Sequence, residues 1–486
     1  MADTPAKVAM IGLDAADHDF ITANLHELPN LKRAREAGVT RKLISTADAL
    51  TGSVWPTFYT GQMPGEHGIY HHLQWDSGRM QLRRVTEDWL YCEPFWHELD
   101  RSGLRTIVID VPMTFRPRTQ HGVEVITWRS HDELTPFATS PPQLANEIRS
   151  KFGMHPLGHE IPVHHSLSEV EKIRKNLVDG AHRKGELALW LAQRQEWDFF
   201  LVVFSECHRG GHILWPGDSN ATALLDVYRA VDNELGRLFD ALARVAEVHV
   251  FALHGMRSNT SQEHFVPRIV ELANEKFLGR ESKAQRPPRK GGMVPWLREH
   301  VPASLQNAIA QAVPVSVRDW VVNHSVVDGY DWDQTTGFPI LADLNAYIRL
   351  NIAGRERDGI MEAEGARTLS YRGFLEECFR SFRLPSGQPL VRDIIYPDKQ
   401  FPGARSRHLP DMIITWTPEA PAQSVHSQQF GTVHAEIATG RGGNHQPDGF
   451  CISLAGLGGD DRPMHIASLA EFACRRWHPQ RAPAGA

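Results

Sequence analysis

Six short, almost purely apolar runs punctuate the chain, each followed by polar or glycine-rich residues: Lys7–Leu13, Arg105–Asp110, Phe199–Phe204, Glu247–Ala252, Asp411–Trp416 and Gly449–Leu454. A run of Val, Ile, Leu and Phe without polar alternation reads as a strand covered on both faces, as in a parallel sheet packed between helices. Helix-period segments lie between the runs. The clearest is Ala223–Val245, where Leu224, Tyr228, Val231, Leu235, Leu238, Leu242 and Val245 form one apolar stripe. The alternation predicts an α/β, doubly wound, mostly parallel sheet with helices on both faces. In such sheets ligands gather beyond the carboxyl ends of the strands, so the residues just after each run are the ones to weigh.

At 486 residues the chain has room for one large α/β domain with insertions. Two stretches interrupt the pattern: Ser140–Asn176, rich in Pro and His with little periodicity, and Leu278–Pro295, which contains the basic string RPPRKGG. The expected organisation is a discontinuous core over 1–277 and 338–476, an inserted cap over 278–337 and a flexible tail over 477–486. A net charge of −6 offers no basic field for nucleic acid or an anionic membrane. The five cysteines are odd in number and form no CxxC pair, which argues against a disulfide framework or a zinc–thiolate site. No signal-like h-region or membrane-length apolar run is present, so a soluble, cytoplasmic protein is expected. No feature speaks to oligomeric state.

The chain has 26 histidines, and histidine is both a metal ligand and a general acid or base near neutral pH. Spacing alone decides little. Random placement gives about 482 × (26/486)² ≈ 1.4 HxxxH pairs, against three found: His67/His71, His155/His159 and His208/His212. The third pair follows a buried strand directly, together with Glu206. Asp14 follows the first strand, where it serves either as a cation ligand or as a helix N-cap. His254 follows the fourth, and His445 sits in a Gly-rich loop ahead of the sixth. Thr51 has meaning only beside a metal or base that lowers the pKa of its hydroxyl; otherwise Thr51-Gly52-Ser53 is a turn. His67, His71 and His72 are expected to be structural or to face solvent.

Taken in order, GLDAAD at 12–17, Thr51 ahead of TGQMPGEHGI at 60–69, DVPMTFRP at 110–117, FSECHRGGHILW at 204–215, HG at 254–255, NAYIRLNIAGRERDGI at 345–360 and GGNHQPDG at 442–449 resemble the type I phosphodiesterase/nucleotide pyrophosphatase family of the alkaline phosphatase superfamily. The resemblance implies a metal-dependent hydrolase of a phosphate ester or phosphoanhydride. Thr51 would attack phosphorus and form a covalent phospho-enzyme, and the substrate would be a small phosphorylated anion. It also implies a first divalent ion held by Asp14, Thr51 and His254 and a second held by His208, His212 and His445. Zn²⁺ is the expected ion, as one or two equivalents, with Mn²⁺ or Fe as alternatives.

The chain departs from the family's pattern at two positions. Leu253 stands where the family has the Asp of an Asp-His pair, and His208 stands where it has the Asp of D-x-x-x-H. Three carboxylates are reduced to one, unless Glu206 or another group restores the charge as an additional ligand or acid/base. Two alternatives follow. One is a His-rich, mononuclear metalloenzyme of the same fold acting on a non-standard substrate; the other is a protein that binds a phosphorylated ligand without turnover.

Overall fold

The computed structural model describes residues 7–128, 131–158, 165–215, 221–280, 313–327, 329–437, 440–454, 461–475 and 477. Its centre is a nine-stranded sheet in the order Met464–His465, Gly38–Ile44, Asp448–Leu454, Ala246–Ala252, Lys7–Leu13, Phe199–Phe204, Thr106–Ile109, Val123–Ile126 and Ala138–Ser140. The five strands from Ala246–Ala252 to Val123–Ile126 run parallel, with Ile11 opposite both Val202 and Val250. Asp448–Leu454 is antiparallel to both of its neighbours, and Ala138–Ser140 closes the far edge antiparallel.

Strand residues alternate between two cores. Ile11, Val202 and Val250 pack with Leu224, Val231 and Leu238 of the helix Ala221–Leu242 and with the long helix Leu167–Arg194. Met10, Leu201 and Val203 face the other way, onto Val54, Phe58 and Trp96. Both faces are therefore covered, which explains the unbroken apolar runs.

The run ending at Trp416 belongs elsewhere. Met412–Trp416 pairs antiparallel in a second, four-stranded sheet with Gly337–Ile340, Ala346–Leu350 and Val391–Ile395. The helices Val266–Phe277 and Ala366–Ser381 share a core with this sheet. A strand buried on both faces has the same apolar pattern in either kind of sheet, so composition did not separate the two. Ser140–Asn176 also holds more order than its composition predicts, with a helix at Leu144–Phe152 and the capping box of Ser166 and Glu169 opening the helix Leu167–Arg194. Most of the segment expected to be a cap lies outside the described residues, as do His159, Trp296, Arg286 and Arg289 and all of the expected tail except Trp477. Among the described residues no helix is long and apolar enough to cross a membrane.

Candidate metal and catalytic centre

Asp14 leaves the first strand buried, its backbone N–H on the Phe204 carbonyl at 2.9 Å. The helix N-cap is Asp17, which accepts from the Phe20 N–H at 2.7 Å, so the Asp14 carboxylate is free for other partners. Its Oδ1 accepts from Trp55 Nε1 at 2.9 Å; its Oδ2 meets His208 Nδ1 at 2.8 Å and His131 Nε2 at 2.5 Å. The strand Phe199–Phe204 runs directly into a regular helix, Glu206–Leu214, which stacks His208 and His212 one turn apart with their Nε2 atoms 2.9 Å from each other.

His445 arrives on a short ribbon in which Gly443–Gln446 pairs with Gly255–Ser258, Met256 lying opposite His445. A Cβ on Gly443 would fall 2.1 Å from the Gly211 carbonyl, so only glycine lets the ribbon approach the helix this closely. The approach brings Gly443 O within 3.1 Å of His212 Nδ1, and His445 Nδ1 lies 3.1 Å from His254 Nε2. The rings of His208, His212 and His445 lie with centroids 4.6–4.7 Å apart.

Two sets of ligand atoms result, each within 4.8 Å: His208, His254 and His445, and Asp14, His131 and His208. His254 thus stands with the late His445 as well as near Asp14, and His208 belongs to both sets. Thr51 is buried in the single turn Thr51–Ser53 that opens the helix Val54–Thr60. Its hydroxyl donates only weakly, to the Ala47 carbonyl at 3.4 Å. Trp55, one turn further on, ties this segment to Asp14.

His131 has no signal in the sequence because the strand it follows, Val123–Ile126, is interrupted by Glu124 and does not read as an apolar run. Two further carboxylates flank the cluster. Asp132 Oδ2 lies 3.1 Å from His131 Nδ1, and its Oδ1 lies 3.0 Å from His72 Nδ1. Asp343 Oδ2 lies 3.5 Å from His445 Nε2, and Asp343 also pairs with Arg441. Leu253, at the position where the resembled pattern has an aspartate, packs in the apolar core with Phe251 and Val54. Glu206 is directed elsewhere. Its Oε1 lies 3.1 Å from His155 Nε2 and 3.4 Å from Lys184 Nζ in a fully buried network behind the helix.

Charge in the centre is distributed unevenly. Burial works against ionisation of Asp14, but the His208 and His131 rings override it and hold the carboxyl well below the usual range. Burial also disfavours a charged His131, yet Asp14 and Asp132 together raise its pKa to about 10. His208, His212, His254 and His445 are all pushed downward, chiefly by burial, and so present neutral rings. One buried ring atom, His254 Nδ1, has no hydrogen-bond partner, and His445 Nε2 faces only the Asp343 carboxylate at 3.5 Å. Clustered neutral imidazoles beside an ionised carboxylate fit a divalent cation of borderline softness. The donor set therefore fits the ion that the motifs imply.

The fold is that of an alkaline phosphatase-like α/β protein, with the cluster lying at its strand ends. The chain belongs to the type I phosphodiesterase / nucleotide pyrophosphatase family, whose model matches residues 8–331. Among solved structures it is similar to an inactive variant of murine ectonucleotide pyrophosphatase/phosphodiesterase 5 in complex with AMP (11% identity, TM-score 0.51, covering 99% of this chain and 96% of that one). It is also similar to the human ectonucleotide pyrophosphatase/phosphodiesterase 5 (13%, 0.50, 99% and 96%) and to phosphonoacetate hydrolase from Sinorhizobium meliloti 1021 in complex with phosphonoacetate (12%, 0.51, 96% and 95%). At these identities the likeness is one of fold. No curated protein sequence matches the chain.

Proposed function

We propose that the protein is a metal-dependent hydrolase that cleaves a phosphate ester, phosphoanhydride or phosphonate of a small anionic substrate, with Thr51 as nucleophile. The observation that carries this reading is the pair of ligand sets at the strand ends, to which Trp55, one turn beyond Thr51, ties its helix through Asp14. Asp14 and His131 would hold one ion and His208, His254 and His445 the other, His208 giving its single free ring nitrogen to the second set with His212 supporting it; Zn²⁺ suits this donor set. Such an ion supplies Lewis-acid stabilisation of charge developing on phosphoryl oxygens.

The chain's own residues do the rest. The Thr51 hydroxyl, only loosely held by Ala47, is free to turn toward phosphorus. Its attack expels the leaving group and forms phospho-Thr51, which water then cleaves. Burial of the imidazoles keeps competing water out and strengthens each electrostatic contact. The relatives crystallised with AMP and phosphonoacetate support a small phosphorus-containing anion as substrate.

The test is elemental analysis of the purified protein together with turnover of bis(4-nitrophenyl) phosphate, 4-nitrophenyl phosphate and phosphonoacetate. About two equivalents of zinc per chain and loss of all turnover in Thr51→Ala are expected. One equivalent with turnover surviving Thr51→Ala would favour the mononuclear alternative instead. Metal bound without turnover of any of the three compounds would overturn the proposal.

A further inference from the structure

One short segment, Asp343–Tyr347, reaches from the second sheet to both halves of the centre. Asn345 Nδ2 donates to the carbonyl of Asp48 at 2.9 Å and to that of Ala49 at 3.4 Å. The Tyr347 hydroxyl donates to the Ala49 carbonyl at 3.0 Å, two residues before Thr51. Two residues before Asn345, Asp343 faces His445 at 3.5 Å and pairs with Arg441 on the His445 loop. The segment is itself fixed on both sides, since the Leu344 carbonyl accepts from Ser261 Oγ at 2.8 Å and from Trp416 Nε1 at 2.9 Å. Asn345 and Tyr347 are buried, and Tyr347 stacks edge-on against Tyr70 at 5.8 Å.

The nucleophile turn and the late histidine come from opposite ends of the chain, and the main sheet joins them only at one remove, by pairing Gly38–Ile44, which ends seven residues before Thr51, with Asp448–Leu454, which begins three residues after His445. Three side chains at the start of one strand of the second sheet and in the loop before it, Asp343, Asn345 and Tyr347, reach the two between them. We propose that Asp343–Tyr347 is a template that sets the position of the Thr51 hydroxyl relative to the histidine cluster. Asn345 and Tyr347 are positioning residues acting through the Asp48–Thr51 loop, and Asp343 is one acting through His445. The inference rests on Thr51 as nucleophile and adds to that reading a role for the second sheet, which holds reacting parts in register rather than merely covering the core.

Positioning of this kind acts on the rate of the bound complex, because a displacement of about 1 Å costs on the order of 100-fold. The test uses the full chain with its metal and compares Asn345→Ala, Tyr347→Phe, their double variant and Thr51→Ala on bis(4-nitrophenyl) phosphate. For each single variant kcat is expected to fall about 10- to 100-fold, with KM, metal equivalents and melting temperature near those of the unaltered protein. The double variant is expected to fall about as far as the worse single, because both act on one loop. Asp343→Asn is expected instead to weaken metal retention about 10-fold in competition with a chelator.

If Thr51→Ala is inactive while Asn345→Ala and Tyr347→Phe keep wild-type kcat, the template is wrong and the nucleophile stands. If Thr51→Ala turns over, both fall. A loss of kcat that tracks loss of metal and melting temperature also overturns the template, since it marks a purely structural role.

Discussion

Lys184 lies in the middle of the helix Leu167–Arg194 and is fully buried, its Nζ 2.8 Å from Asp110 Oδ2, 3.4 Å from Glu206 Oε1 and 3.3 Å from Ser205 Oγ. The two carboxylates hold elements that build the centre. Asp110 Oδ1 accepts from the Trp128 N–H at 2.7 Å, three residues before His131, and Glu206 opens the helix that carries His208 and His212. Lys184→Met keeps the apolar stem and removes the charge, leaving the Glu206 carboxylate buried without the ammonium that faces it. Breaking a buried pair on one side costs about 3–5 kcal/mol.

An independent figure comes from Glu206. Burial alone would raise its carboxyl, but the Lys184 ammonium and the His155 hydrogen bond bring it from 4.5 down to about 2. A depressed acid contributes stability that is fully present above 4.5 and is lost as pH falls toward 2; the shift corresponds to roughly 3 kcal/mol. In Lys184→Met the burial effect prevails and the carboxyl rises above 4.5, so the variant recovers part of its deficit by taking up a proton as the solution is acidified. Urea unfolding of both proteins at pH 7.5 and pH 4.5 reads this directly. A deficit of about 3–5 kcal/mol at pH 7.5 that shrinks by at least about 1 kcal/mol at pH 4.5 is expected. A deficit below about 1 kcal/mol at neutral pH, or one that does not change with pH, would refute the argument.

His67 is buried with its Nδ1 accepting from the Ile69 N–H at 3.1 Å, which leaves the Nε2 proton for Thr57 Oγ1 at 3.0 Å. Burial, with Arg405 adding to it, lowers its pKa to about 3. Its stability contribution is present above pH 6.5 and is lost as pH falls toward 3, up to about 5 kcal/mol, so wild-type urea stability is expected to drop more steeply with acid than that of His67→Gln; equal slopes would contradict this. Trp55→Phe removes the donor to Asp14 Oδ1 and is expected to weaken zinc retention about 10-fold in a chelator titration, with the fold intact by circular dichroism. Unchanged retention would place the indole outside the support of the centre. Stripping metal with a chelator is expected to lower the melting temperature, with zinc at 100 times its dissociation constant restoring about 3 kcal/mol; indifference to zinc would mean the imidazole cluster is purely structural.

The parts that could be read from sequence were those whose environment is local. Lys7–Leu13 and Phe199–Phe204 form strands with those bounds because burial on both faces leaves no polar alternation, and Asp14, His208 and His254 lie at the ends of such strands. His445 and Thr51 needed the order of motifs as well, since a Gly-rich loop or a Thr-Gly-Ser turn has no chemistry by itself. His131 and Asp132 come five and six residues after the strand Val123–Ile126, which Glu124 interrupts, Asp343 follows the short run after Gly337, and none of the three matches a spacing rule. They reach the centre only through pairings between distant segments, as in His131 with Asp14 and Asp343 with His445. Glu206 shows the opposite failure: beside His208 in sequence, it faces the other side of the helix and is occupied by Lys184.

The loss of carboxylates at positions 208 and 253 is therefore not a simple gain of positive charge. The negative charge has moved outward by one layer. Asp132 sits behind His131 and Asp343 behind His445, both held ionised against burial, Asp132 by His72 and His131 and Asp343 by Arg441 and His445. A carboxylate behind an imidazole fixes its ring orientation and makes the opposite nitrogen a better donor, so charge one bond-length further out still reaches a cation through the ring. The geometry of such a centre then depends on the segments that carry the outer carboxylates, and one of these, the loop before Ala346–Leu350, also holds the Thr51 turn. A histidine at 208 and a leucine at 253, with the carboxylates set behind the rings, thus couple the metal centre to the second sheet, and this coupling is what the Asp343→Asn and Tyr347→Phe variants separate.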